Sequence, residues 1–399
     1  MHLRTFLWIL LTTSLCRAAD TVAVMPLFNV NEAKSPNLDW IGESVAETIH
    51  ESLSSAGLLV LAREDRAEIY RRLSVKPGVV LTKASVIKIG ESLDAGQVVY
   101  GDFNVEGSEN GAGTVKSKIH MTVRVIDLKK LREDPPFEQT GILENLSQME
   151  MKLAYMVLKR ISPEGIGDEA SFLRDRTAVR VDAMESYVRG LMAASVDQRI
   201  KLFGQALRID DKFSPPAFQL GKILAGRKEY KTAGQWLAKV SRTDSHYMEA
   251  QFLLGICRYQ EGDFDAAVQQ FRTVLPELPL NEVYNNLGAA LSRKDDRAAL
   301  DNFSKALEGD PSDPDYWFNV GFALWKRGDF AQAAERFRAV LDRSREDREA
   351  TSMLGRCIKM DGPHPGDTRT EGHERIKTAF EDSAFRQLQA ELKGAAKKN

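Results

Sequence analysis

The 399-residue sequence predicts a multidomain protein, an α/β (α+β) N-terminal layer domain followed by an all-α solenoid of helical hairpins. Three observations predict it. Gly221, Gly255, Gly288, Gly321 and Gly355 recur at intervals of 34, 33, 33 and 34 residues. Over 20–162, short β-branched runs alternate with stretches whose apolar residues are spaced by three and four. The two styles meet at Ser162 to Asp168, where Pro163, Gly165 and Gly167 mark a linker. At 43% apolar and 28% charged, the chain has enough apolar surface for two folded units and is not disordered overall.

The first residues carry Arg4, an apolar run from Phe6 to Leu11 extended by Thr12 to Leu15, and then Cys16-Arg17-Ala18-Ala19. This order reads as a secretory signal peptide over 1–18, too short to span a bilayer and cleaved after Ala18. The alternative is a membrane anchor, either uncleaved or acylated at Cys16, although Leu15 is large for the position before an acylated cysteine. Loss of Arg4 and Arg17 takes the net charge from -2 to -4. The expected location is therefore periplasmic or secreted.

Within 20–162, Thr21 to Asn29 predicts a strand ending in Pro26-Leu27-Phe28-Asn29. Asn37 is placed to cap a helix whose apolar face is Leu38, Ile41, Val45, Ile49 and Leu53, ended by Gly57. Leu58 to Leu61 predicts a short buried strand, Arg63 to Leu73 a charged helix and Lys83 to Leu93 a third helix. Strands follow at Gln97 to Val105 and Ser117 to Leu128, joined by the turn Gly107 to Gly113. A last helix over Ile142 to Ile161 puts Ile142, Leu146, Met149, Leu153 and Met156 on one face. Residues 163–182 form a linker and a charged lead-in helix, 183–360 the solenoid, 361–372 a loop, and 373–399 a C-terminal helix and basic tail.

Each solenoid unit repeats more than its glycine. An aromatic follows nine residues later at Tyr230, Phe264 and Phe330, then alanine at Ala233, Ala267, Ala299 and Ala333, then Leu237, Phe271, Phe303 and Phe337. Small residues let two antiparallel helices approach while large ones fill the flanks. Gly262-Asp263 and Gly328-Asp329 turn the chain, and Pro279 and Pro311 close two units. This pattern resembles the tetratricopeptide repeat family. It gives five repeats from Ala183 plus a partial sixth helix at Leu354-Gly355, with deviant end units as expected of a capped stack.

The opening strand, the Leu38-Asp39-Trp40-Ile41-Gly42-Glu43-Ser44-Val45-Ala46-Glu47 stretch and Val98-Val99-Tyr100-Gly101-Asp102-Phe103 resemble the TolB amino-terminal domain and related domains of flagellar and curli envelope assembly proteins. The resemblance covers roughly 20–162, without the β-propeller that follows in TolB. It implies a soluble envelope module that docks onto other proteins, and no catalysis.

Several chemistries find no support in the residue pattern. With 55 basic against 57 acidic residues there is no electrostatic case for nucleic acid. The only basic cluster is the tail at Lys393, Lys397 and Lys398. The six histidines and three cysteines show no metal-ligand spacing, and His50 and His120 read as surface or hydrogen-bonded residues. Cys257 and Cys357 fall three repeats apart, too far for a bridge, and read as small buried residues. Gly165-Ile166-Gly167 followed by Ala170 mimics a nucleotide fingerprint but follows a helix, so it reads as linker. Asp102 and Asp127 can face one another across two strands, yet without a partner base or metal they read as strand-end carboxylates. No catalytic residue, cofactor or metal is expected.

The better candidate is the concave face of the repeats, built from the second, fifth, ninth and twelfth positions of each first helix. It gathers Phe218 and Lys222, then Phe252, Ile256 and Tyr259, then Asn285 and Ala289, then Phe318, Phe322 and Trp325. An aromatic stripe beside an amide suits an extended or helical peptide, with Asn285 bonding its backbone. Asn286 and Asn319 stand at sixth positions, but the basic residues of a carboxylate clamp are missing. Two other readings stay open: the aromatics pack between repeats, or the C-terminal segment with Ile376, Phe380, Phe385 and Leu388 folds back into the groove.

The sequence thus predicts a non-enzymatic exported adaptor. It binds a protein or peptide in the groove and envelope proteins through its first domain, with membrane contact left open. The alternatives are a self-assembling homo-oligomeric collar built through the N-terminal domain and an enzyme acting on a small molecule in the α/β domain, which would need a polar pocket.

Overall fold

The computed structural model describes residues 21–31, 36–76, 78–106, 117–163, 166–174, 178–364, 366, 369–381 and 384–388. The leader at 1–18 with Cys16, the turn Gly107 to Gly113, Gly165 of the linker and the basic tail lie outside the described residues.

The first half is one mixed sheet. β1 (Val22–Val24) and β2 (Phe28–Asn29) run parallel to β3 (Gln97–Glu106). β4 (Lys118–Asp127) lies antiparallel to β3, in register from Gln97 opposite Asp127 to Glu106 opposite Lys118. β5 (Arg132–Glu133) and β6 (Phe137–Ile142) both pair antiparallel with β4. Side chains alternate across the sheet, which divides the core into two. Val98 and Tyr100 join Ile69 of α2 (Arg63–Arg72) and Val86 and Ile89 of α3 (Lys83–Ser92). Val99 and Phe103 face the other way, toward Ile41 and Val45 of α1 (Asp39–Ser55) and Leu153 and Val157 of α4 (Leu146–Ile161).

Four local expectations need correction. The opening strand breaks between β1 and β2, because Pro26 has no N–H for the ladder and Leu27 N–H donates to Gly42 O (3.2 Å) instead. Leu58 to Leu61 contributes a single bridge, Val60 beside Val22. Ile142 ends β6, a strand the sequence reading missed, and a 3₁₀ turn over Leu143–Asn145 precedes α4. Asn37 caps nothing: α1 starts after Leu38 with no side-chain cap, and both Asn37 oxygens accept from Arg189 of the second half.

The second half is a stack of hairpins. After a short α5 (Glu169–Arg174), which stops before Arg180, the pairs are α6 (Val181–Met192) with α7 (Val196–Ile209), α8 (Pro215–Gly226) with α9 (Tyr230–Leu237), and α10 (Tyr247–Gln260) with α11 (Phe264–Val274). Next come α12 (Asn281–Arg293) with α13 (Ala298–Gly309) and α14 (Pro314–Lys326) with α15 (Phe330–Arg343). A single helix, α16 (Arg348–Ile358), ends the stack. Gly262 and Gly328 turn α10 and α14 into their partners at φ +81° and +83°, a conformation that side chains resist.

The repeat glycines have a measurable cause. A Cβ on Gly255 would lie 2.6 Å from the Phe271 ring, and one on Gly288 2.8 Å from Phe303. Gly355, whose helix has no second member, would meet nothing within 4 Å. We therefore expect Gly255→Ala to lower stability by about 1–3 kcal/mol through overpacking. Gly355→Ala should be neutral or stabilising by up to about 1 kcal/mol through helix propensity. Urea denaturation of both variants checks the pair; equal effects would remove the close-approach explanation.

The halves share one continuous apolar cluster, with α1 packed on α6. Arg189 reaches Asn37 at 2.5 and 2.6 Å, and Arg63 donates to Leu191 O. The linker side is held as well, where Tyr155 donates to Gly167 O (3.2 Å) and its ring meets Phe172 at 5.4 Å. Cys257 and Cys357 are free and buried, with burial pushing their thiols up to about 12 and about 11. Among the described residues no helix is long and apolar enough to cross a membrane.

Candidate peptide-binding groove

The concave face of the solenoid is occupied by the chain itself. After α16 the chain returns across the first helices of the repeats as an irregular, largely extended strap over 373–381, and a single helical turn follows at 384–388. The helix that apolar spacing predicts from 373 is therefore absent over 373–381. Its residues give up intrachain helical bonds because the groove supplies partners for their backbone.

Those partners are asparagines, Asn285, Asn286 and Asn319, all fully buried. Asn319 accepts from Arg375 N–H (2.8 Å) and donates to Arg375 O (2.7 Å). Asn285 donates to the same carbonyl at 2.7 Å and accepts from Asn319 at 2.7 Å. Asn286 repeats the two-way grip two residues on, accepting from Lys377 N–H (2.8 Å) and donating to Lys377 O (2.7 Å). Glu282 accepts from Glu381 N–H at 2.8 Å. An amide presents donor and acceptor side by side, so it satisfies both polar groups of one extended residue whatever its side chain.

Side chains of the strap are read separately. Arg375 pairs with Asp315 (3.2 Å), Asp347 (2.8 Å) and Glu349 (3.0 Å), and its guanidinium lies 3.8 Å from the Phe318 ring centroid. Lys377 pairs with Asp313 and Asp315, both at 2.7 Å, and lies over the Tyr316 ring. Burial opposes the charge on both cations, but the carboxylates outweigh it and hold both pKa values above the ordinary ones. Phe380 meets Phe252 in a tilted contact at 4.1 Å and stacks on Phe385 at 4.8 Å. Ser292 donates to Glu374 at 2.6 Å, and Arg386 pairs with Asp65 of α2 at 2.8 Å, tying the strap to the first half.

The residues expected on this face fall into three groups. Phe252, Asn285 and Phe318 touch the strap directly, as does Phe322, which meets His373 edge-on at 5.8 Å. Trp325 donates to Asp361 O (2.7 Å), and its ring stacks on Phe322 at 5.5 Å, holding the start of the returning chain. Phe218, Lys222, Ile256 and Tyr259 lie toward the other end. Phe218 stacks on His246 (4.5 Å), Lys222 pairs with Glu249 (2.8 Å), and Tyr259 packs on Phe264 (5.4 Å). Lys222 and Ile256 line a cavity of about 710 Å³ between α1, α8, α10 and the strap.

Sequence reasoning placed Asn286 and Asn319 on the right helices but tested them against a carboxylate clamp. The residues it missed are Asp313, Asp315, Asp347 and Glu349, each near the start of a first helix. Their signal was the acidic first turn, which looks the same on a helix that binds nothing.

A second polar cluster adjoins the cavity through His246, where Glu51, Asp244 and His246 bring one ligand atom each within 4.8 Å of one another. Burial, then repulsion from Asp244, pushes Glu51 up to about 7. Burial disfavours the His246 cation, but the Asp244 hydrogen bond and charge override it and lift His246 to about 9. An imidazole with two carboxylates has the composition of a divalent-cation site, although here His246 already pairs with Asp244 at 3.3 Å. His50 also lines the cavity, its pKa lowered by burial. Asp102 and Asp127 do not meet: Asp102 lies opposite Thr122 and pairs with Arg124 (2.7 Å), while Asp127 lies opposite Gln97.

Residues 237–282 and 321–358 match the family described as Tetratricopeptide repeat. No curated protein matches the chain. Solved structures similar to it include YrrB, described as a TPR protein with an unusual peptide-binding site, at 18% identity and a TM-score of 0.35 over 52% of this chain and 100% of that one. They also include the MamA protein (18% identity, TM-score 0.37, 41% and 91%) and residues 41 to the end of MamA from Desulfovibrio magneticus RS-1 (22%, 0.37, 46% and 98%). With paired helices, a glycine at each close approach and the family match within them, the second half of the chain is a helical-repeat solenoid that carries tetratricopeptide repeats over 237–282 and 321–358, the architecture of a protein-interaction scaffold.

Proposed function

We propose that the protein is a non-enzymatic adaptor whose groove holds an extended segment of another protein. In this reading it works outside the cytoplasm in the assembly or maintenance of an envelope complex. The observation that carries it is the asparagine grip, in which three fully buried amides bind main-chain groups of Arg375 and Lys377. Such a device recognises extended backbone as such, which is the requirement for binding a segment supplied by a partner. The leader read over 1–18 supports export. The likeness of 20–162 to envelope docking domains supports a second contact through the sheet half.

The test is photocrosslinking in intact cells from a photoreactive residue at position 222, on the cavity wall beside the strap. A defined exported protein should be trapped, and it should disappear when Asn285 and Asn319 are both changed to alanine. Crosslinks only to the chain's own residues 370–388, in both forms, would sink the adaptor reading.

A further inference from the structure

The strap also carries information about the partner, because its side chains are recognised by a device separate from the backbone grip. Arg375 and Lys377, with side chains 19% and 20% exposed, meet four carboxylates: Asp313, Asp315, Asp347 and Glu349. Two cations leave that nest acidic, so it disfavours an acidic or carboxylate-terminated ligand and favours a basic one. Three residues beyond Lys377, Phe380 fills the aromatic seat on Phe252. The groove therefore reads an extended chain at three points, a cation, a second cation two residues on, and an aromatic three residues after that.

Resting on the reading of the groove as a peptide seat, we infer that the partner presents an extended segment with this basic-x-basic-x-x-aromatic pattern. The chain's own residues 375–380 are a tethered competitor that the segment displaces. Two features make the strap displaceable. Its hold is largely ionic and polar, made of contacts that an incoming segment of the same pattern reproduces one for one. Beside Phe380 lies the cavity of about 710 Å³, which a longer partner segment can enter before the strap has left. The short connection from Ile358 to Arg375 keeps the strap at an effective concentration on the order of millimolar, so an isolated weak peptide does not replace it.

The experiment uses the full-length protein and a fluorescein-labelled peptide of residues 370–388 supplied in trans. Binding is read by anisotropy on wild type, on Arg375→Glu/Lys377→Glu and on Phe380→Ala. Hydrogen exchange at the amide of residue 377 reports release of the strap, and an unchanged melting transition of the solenoid reports folding. Both variants should bind the peptide at least about 10-fold more tightly than wild type. Peptides with the two cations reversed to glutamate, or with Phe380 as alanine, should bind about 10-fold more weakly than the unaltered one. Equal binding of all peptides to the variants would overturn the partner chemistry and leave the adaptor reading standing. A released strap with no binding of any peptide would overturn both. Unchanged exchange at residue 377 in both folded variants would show a fixed structural strap and overturn displacement.

Discussion

Asn319→Ala is expected to release the strap at its centre and to raise amide exchange at Arg375 by about 100-fold or more. Asn319 makes three hydrogen bonds of 2.7–2.8 Å, two to the backbone of Arg375 and one to Asn285, and is fully buried. Its loss leaves the Arg375 N–H without that acceptor and the Asn285 Oδ1 without that donor, in a place where a buried polar group without a partner costs about 1–3 kcal/mol. The sum, about 2–6 kcal/mol, falls on the docked strap because the strap alone can leave the groove and regain water. Asn286→Ala should act the same way at Lys377, whose N–H and O it binds, and less at Arg375. Hydrogen exchange followed by mass spectrometry, with the solenoid melting transition as control, measures the effect. Protection at Arg375 that survives Asn319→Ala would mean that the ion pairs and Phe380 hold the strap without the amides.

The solenoid was legible because its constraint is local. Each repeat glycine whose helix has a partner faces a large residue on that partner, as Gly255 faces Phe271, so one unit repeats its own explanation. The groove's occupant was legible only as one open reading, the C-terminal segment folding back; its extended backbone and its amide partners were not, because Asn285 and Asn286 meet residues 90 and 91 positions away and the strap has no period of its own. Apolar spacing of Ile376, Phe380 and Phe385 suggested a helix, but Ile376 and Phe380 lie in the stretch that backbone-to-asparagine bonds hold extended. The cluster of Glu51, Asp244 and His246 escaped for the same reason, since one helix of the first half and one turn of the second supply it. In α4 the predicted stripe was too narrow: Met156 is only partly buried, while Glu150, a residue that usually faces water, is fully buried between Thr48 and the core.

That glutamate gives the other large expected effect. Glu150 is 0% exposed, accepts from Thr48 at 3.1 Å through one oxygen, and has no hydrogen-bond partner at the other. Burial drives its pKa up to about 8, with the hydroxyls of Ser44 and Thr48 lowering it only in part. A carboxyl whose folded pKa lies above its unfolded value stabilises the fold fully below the unfolded pKa, and that contribution is lost as pH rises through the folded one. Glu150 therefore costs little at pH 4.5 and increasingly more up to about pH 8. Glu51, raised to about 7, acts with the same sign, and so does His246, whose contribution is present below 6.5 and lost through about 9. Glu150→Gln keeps the shape and removes the charge. It should raise stability by about 2–5 kcal/mol at pH 9, at about 1.4 kcal/mol per pKa unit, and by little at pH 4.5. Urea denaturation of both proteins from pH 5 to 9 measures this. The variant's curve should fall less steeply with pH while keeping the slope from Glu51 and His246, whereas parallel curves would show that the buried carboxyl is ionised at no cost and that water or a counter-charge reaches it.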